Sequence, residues 1–215
     1  MIRRVKKFKI KSPTIGKTRF HSTFVQKGMV INMKNTKTFT VKNMAITGLM
    51  IAVGIVLPLA FHSLPQGLGG RAILPMHIPI LLAGLICGPV FGLAAGILTP
   101  ILSYFILGMP MPVFLYPMLF ELPIYGAVAG LLMRYLPVRH LYGKLYISLI
   151  TAMLAGRVTF GAANALLFSA GEYSTQMWVT ATLVTALPGI VIQLIAIPSI
   201  VVALQRERLI GVYER

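Results

Sequence analysis

Long apolar runs, separated by short polar or Pro/Gly-rich breaks, organise the chain from residue 44 onward. A helix that crosses a bilayer needs about 20 mainly apolar residues, and each run can be measured against that length. The first run is Met44 to Phe61. A break follows from His62 to Arg71, containing Pro65, Gln66, Gly67, Gly69 and Gly70. The next apolar stretch, Ala72 to Leu107, is interrupted at Gly88-Pro89, so it reads as a hairpin of two shorter helices. The first of these is short and reads as tilted or partly re-entrant. Gly108-Met109-Pro110-Met111-Pro112 reads as a turn. A fourth span runs from Val113 to about Met133, and a basic loop follows from Arg134 to Lys144. A fifth span covers Leu145 to Ala170, a polar loop Gly171 to Thr175, and a sixth span Met177 to Leu204, with a kink expected at Pro188. The pattern predicts an all-α membrane protein with six transmembrane helices.

Composition strengthens that reading. The 215 residues are 57% hydrophobic and only 11% charged, against roughly 25% charged in an ordinary soluble domain. So few polar side chains could not coat a soluble core of this size. Hydrocarbon as the surrounding solvent removes the need. A soluble enzyme is excluded on this ground.

The charge is +16 and unevenly placed: residues 1–42 carry 12 of the 20 Lys and Arg and no Asp or Glu. A basic tail can face nucleic acid or anionic lipid, or it can be the inner flank of a membrane protein. Its position beside an apolar span favours the flank, with membrane lipid and no nucleic acid as its partner. In a six-span scheme the inner segments 1–42, 134–144 and 205–215 hold 18 of the 20 cations. Arg71 falls in an outer loop and Arg157 inside a span. This asymmetry places both termini in the cytoplasm. The expected organisation is a basic N-terminal tail (1–42), a six-helix transmembrane domain (43–205) and a short C-terminal tail (206–215). Residues 1–28 contain no apolar stretch that would serve as a secretory signal. Met29 and Met33 are alternative starts, so residues 1–32 are kept out of the fold. The single cysteine, Cys87, lies in an apolar run and reads as a small buried hydrophobe.

Small residues recur at helical spacing. Gly84, Gly88, Gly92 and Gly96 are four apart, as are Gly126 and Gly130, and Gly48 and Ala52. Such spacing lines one helix face and lets backbones approach closely. For the Gly84–Gly96 series the chain turns midway, which favours packing within the molecule. For Gly48 and Ala52, internal packing and docking of a partner both stay open.

Polar groups inside the spans demand partners, because a charge at membrane depth costs roughly 2.5–3.5 kcal/mol on insertion scales. They are His77, Glu121, Arg157, Asn164 and Gln193. Arg157, Phe160 and Asn164 fall at i, i+3 and i+7 on one face, and Glu121 and Tyr125 at i and i+4 on another. An aromatic between a cation and an amide suits a small organic anion or a heteroaromatic ring, and Arg can grip a carboxylate through paired hydrogen bonds. Arg157 and Glu121 read either as a buried ion pair between spans or as the lining of a cavity. One arrangement can serve both. His77, Asn164 and Gln193 read as internal hydrogen-bonding groups or as ligand contacts.

No HExxH, CxxC or GxSxG motif is present. Ile15-Gly16-Lys17-Thr18 matches the end of a phosphate-binding loop, but Lys11 stands where its first glycine is required. The acidic residues are Glu121, Glu172, Glu207 and Glu214, and only Glu121 lies in a span, so paired-carboxylate chemistry is implausible. No catalytic residue, cofactor or metal site is expected, and any ATP hydrolysis must come from partners.

Three stretches carry a family resemblance. Residues 73–96 read ILPMHIPILLAGLICGPVFGLAAG, residues 120–126 contain Phe120-Glu121-Leu122 with Tyr125-Gly126, and residues 155–157 read Ala-Gly-Arg. Together they resemble the substrate-binding S components of energy-coupling factor (ECF) transporters, over about residues 40–205. The resemblance implies a six-helix subunit of a prokaryotic plasma membrane that captures a vitamin or related micronutrient from outside. It implies a transmembrane coupling subunit and two ATPase subunits as partners, and toppling in the membrane for release. Family members dock through small residues of the first helix, commonly alanine-x-x-x-alanine. Gly48 and Ala52 stand at that spacing here. His62–Arg71 matches the expected outer lid. Met76-His77-Ile78-Pro79 resembles the metal-binding start of nickel and cobalt S components. Here the string is internal and lacks the amino terminus that joins the histidine, so no metal is expected. The resemblance leaves pantothenate, a pyridoxine-like ring, a pterin, cobalamin and a queuosine precursor open. A membrane-embedded enzyme using Glu121 with His77, and an assembly subunit without its own ligand, are the competing functions.

Overall fold

The computed structural model describes residues 40–62, 74–138, 140–165, 176, 180 and 186–207. Among these there are six α-helices and no strands: α1 (Val41–His62), α2 (His77–Cys87), α3 (Pro89–Leu107), α4 (Pro112–Tyr135), α5 (Leu141–Ala163) and α6 (Leu187–Arg206). All but α2 are long and apolar enough to cross a membrane. The expected lid between His62 and Arg71, the loop Gly171–Thr175 and the tail before residue 40 lie outside the described residues.

The breaks obey local backbone chemistry. Pro89 and Pro112 each open a helix, at a position whose N–H would have no helical partner. Gly88 closes α2 with φ 100° and Gly108 closes α3 with φ 67°, conformations that a side chain disfavours. Each of these glycines donates its N–H to the carbonyl four residues back, Gly84 and Tyr104, at 2.9 Å. Pro188 stands in the first turn of α6, where a proline is tolerated without losing a hydrogen bond, and residues 177–179 and 181–185 of the expected span lie outside the described residues. The basic loop is also shorter than expected. Arg134 belongs to the last turn of α4 and Lys144 to the first turns of α5. Their long stems can lie along apolar surface while the charge reaches water, so a cation does not force a helix to end.

The short helix is the most enclosed. At 1.5 Å per residue, the 11 residues of α2 span about 16 Å, roughly half the hydrocarbon thickness. Nine of them are buried, so α2 sits inside the bundle with α1, α3, α4 and α6 against it. Helix α4 is the other centre and packs on α2, α3 and α5. α1, by contrast, is exposed along most of its length.

Glycines bring α2, α3 and α4 together backbone to backbone. A Cβ on Gly84 or on Gly92 would run into the Gly126 carbonyl, and one on Gly126 would run into the Gly92 carbonyl. Gly96 faces the backbone at Leu122-Pro123, and Gly130 faces Gly88-Pro89, where an added Cβ would lie 2.5 Å from Pro89 N. The Gly84–Gly96 series therefore packs internally. These contacts also show that α3 and α4 run antiparallel, while α2 and α4 run parallel. Below the glycine contacts, Leu85, Met133, Leu149 and Val201 belong to a core shared by α2, α4, α5 and α6. Cys87 is buried at the end of α2.

The two ends of the bundle differ. Among the described residues every Lys and Arg except Arg157 lies at one end: Lys42, Arg134, Lys144 and Arg206. Exposed Tyr135, Tyr142 and Tyr146 share that end, as expected of rings at a membrane–water boundary.

Replacing Gly126 with Leu should destabilise the bundle by about 3 kcal/mol or more, since backbone carbonyls cannot move aside as side chains do. Gly48→Leu, where an added Cβ meets nothing within 4 Å, should leave thermal unfolding in detergent unchanged. Equal losses in the two variants would refute this account of the packing.

Candidate functional site

Helices α4 and α5 run antiparallel, and Gly156 sets how closely they meet. A Cβ there would lie 2.9 Å from the Tyr125 ring, so the glycine gives the ring a flat seat on α5. The next residue on α5 is Arg157. Tyr125 lies one turn from Glu121 on the same face of α4. This arrangement brings the Arg157 Nη1 within 3.1 Å of the Glu121 Oε1.

A third helix closes the group. His77 opens α2, and its Nε2 stands 3.7 Å from the same Glu121 oxygen. Its ring meets Tyr125 edge to face, with centroids 5.1 Å apart. Tyr125 in turn interacts with both Glu121 and Arg157. All four are buried: the relative exposure is 2% for His77, 2% for Glu121, 1% for Tyr125 and 7% for Arg157. Enclosure on this scale is sustainable because the two charges neutralise each other. Either charge alone would carry an uncompensated desolvation cost of several kcal/mol. His77 Nδ1 has no hydrogen-bond partner among the described residues.

Another buried polar residue works through the backbone. Gln193 of α6 is 2% exposed, and its Nε2 donates to the Leu74 carbonyl at 3.5 Å. The same carbonyl accepts the His77 N–H at 3.1 Å. Leu74 has φ 52°, a left-handed conformation that costs a residue with a Cβ about 1–2 kcal/mol. Gln193 and the first turn of α2 thus hold a strained entry to the helix that carries His77.

The polar residues named in the spans therefore separate. His77, Glu121 and Arg157 come together, with Tyr125 among them. Gln193 supports the segment that leads into α2. Phe160 lies one turn beyond Arg157 on α5 and Asn164 caps the end of that helix, both half-buried. The Asn164 amide donates to the Phe160 carbonyl at 2.8 Å, so it is engaged with its own helix. The roles of Gly156 and Leu74 were not foreseen from the sequence. Gly156 had a signal, since it directly precedes the intramembrane arginine. Leu74 had none, because leucine is a poor choice for a left-handed conformation. Gly48 and Ala52 are both exposed on the outer face of α1. Among the described residues no three His, Cys, Asp or Glu side chains gather as a metal-ligand set.

The cluster occupies the half of the bundle away from the basic end. Glu121 is nine residues from the start of α4, Arg157 six from the end of α5, and His77 at the start of α2. Those helix ends all lie at the pole opposite Lys42 and Arg206.

A family model described as "ECF transporter, substrate-specific component" matches residues 42–201. Among curated proteins, none matches the chain.

The Glu121–Arg157 contact should behave as a coupled pair. Arg157→Met alone should cost about 3–5 kcal/mol by stranding a buried carboxylate. Adding Glu121→Gln should restore much of that loss. Additive losses in a double-mutant cycle of thermal stability would show that the pair does not exist in solution.

Proposed function

The chain belongs to the substrate-specific components of ECF transporters, and on that premise we propose that it captures a vitamin or related micronutrient for import. Members of this family are transport subunits and not enzymes, and the chain is a multi-pass plasma-membrane protein. In the proposed arrangement the ligand arrives from outside and meets His77, Glu121 and Arg157. Gln193 holds the approach, and Phe160 and Asn164 stand toward the mouth. Phe160 is suited to stack on a ring. The observation that carries this reading is the buried ion pair with its neighbouring histidine. A bundle needing only to span the membrane would have no use for three ionisable side chains buried in its interior, where they are costly and mark ligand or ion sites.

Orientation follows from charge. All six helices are embedded in the proposed scheme, with both termini in the cytoplasm. The concentration of Lys42, Arg134, Lys144 and Arg206 at one end supports it through the positive-inside rule. The His77–Glu121–Arg157 group then lies in the outer half, the side from which substrate is taken.

The partners proposed are a transmembrane coupling subunit and two ATPases. Gly48 and Ala52 supply the contact surface. They are four apart and exposed, and a Cβ at Gly48 would meet nothing of the described residues within 4 Å. Small residues on an outward face permit close helix approach.

Two measurements test the proposal. Mass spectrometry of small molecules released from the purified protein should identify a bound micronutrient. Arg157→Lys, which keeps the charge but loses the planar fork, should lower ligand occupancy by about tenfold or more while the protein stays folded. Normal occupancy in that variant would remove Arg157 from the site. Separately, Gly48→Leu with Ala52→Leu should abolish co-purification of the coupling subunit and leave the released ligand unchanged. Retained co-purification would move the docking surface elsewhere.

A further inference from the structure

The sequence presents Arg157 as a cation awaiting an anion, but in the folded protein its anion is already present. Glu121 lies 3.1 Å from its guanidinium, inside the chain itself. The charge balance around the cluster can be followed helix by helix. α4 supplies Glu121 and Tyr125, α5 supplies Arg157 and α2 supplies His77, while α6 contributes the neutral Gln193. Among the described residues, no other ionised side chain lies at this depth. With a neutral imidazole, the described side chains of the site sum to no net charge before any ligand enters.

We infer that the site selects a ligand without net charge that offers an N–H or O–H donor, and that it rejects the carboxylate form of the same compound. The inference rests on the capture reading above and narrows it to a substrate class. A second carboxylate would enter a group whose only fixed cation among the described residues is already neutralised, at the desolvation cost of an unpaired buried charge. The N-terminus of α2 adds roughly half a positive charge, enough to favour an acceptor atom but short of what a full anion needs. The donor requirement comes from His77. A neutral imidazole donates from one nitrogen and accepts at the other. Neither ring nitrogen has a hydrogen-bond partner among the described residues, so either neutral tautomer leaves one nitrogen as an acceptor. A neutral heteroaromatic or amide-bearing compound answers both demands. A simple carboxylate answers neither.

The test uses the full chain purified in detergent and matched pairs of probes that differ in one acidic group: pantothenol with pantothenate, pyridoxine with 4-pyridoxate, and nicotinamide with nicotinate. Calorimetry would be paired with mass spectrometry of whatever compound the protein releases. The released compound should be neutral at pH 7. Where a pair binds, its neutral member should bind at least about tenfold tighter, an advantage expected when one form would leave a buried charge unpaired. Glu121→Gln frees the Arg157 charge and should narrow or reverse that preference. A released anion, a wild-type preference for the carboxylate member, or a preference unchanged in Glu121→Gln would overturn the charge selection while leaving capture intact. Failure to release any compound, together with no binding of any probe, would overturn the capture reading and this inference with it.

Discussion

A carboxylate inside hydrocarbon must be matched or it will not stay ionised there. Glu121 meets that condition through Arg157, and the meeting of α2, α4 and α5 around the site follows from the match. The arginine must come from the helix antiparallel to α4, at a height fixed by the glycine beside it. Gly156 lets α5 close on Tyr125, and the approach carries the guanidinium to the carboxylate. His77 completes the group from a helix too short to span, whose beginning is held by Gln193 and the Leu74 carbonyl. Four helices thus contribute to one small polar volume.

The frame around this volume is built from backbone contact. Apolar side chains gain little by meeting one another in a solvent that is itself apolar, so close packing must supply the cohesion. Gly84, Gly92 and Gly126 supply it where α2, α3 and α4 converge. The outer face of α1 carries no comparable burden. That division separates the parts of the molecule: a tight interior triad of helices, a polar cluster on one side of it, and a peripheral helix with small residues turned outward.

Much of this was legible in the sequence, for identifiable reasons. Hydrocarbon thickness sets a minimum run length, so the spans stood out, and so did the short first arm of the hairpin. Helix ends were less legible. Lys144 and Arg134 looked like loop residues but belong to helices, because long cationic side chains reach water from within them. Pro188 marked an interruption correctly but stands at a helix start. His77, Glu121 and Arg157 were conspicuous as ionisable groups in apolar surroundings. Their pairing depends on the register between helices, on which spacing within one helix is silent. Asn164 shared a face with Arg157, yet its amide turned back onto Phe160. The Leu74 carbonyl left no trace, since every residue has one.

A joint made of main-chain atoms is indifferent to what the neighbouring side chains are. Positions such as His77, Phe160 and Asn164 can therefore drift or be exchanged without moving the Gly84–Gly92–Gly126 crossing. The lining of the site can in this way change by a few substitutions while the outline of the bundle stays as it is. Freedom at the site and constancy of the frame would then have a single origin: three missing methyl groups.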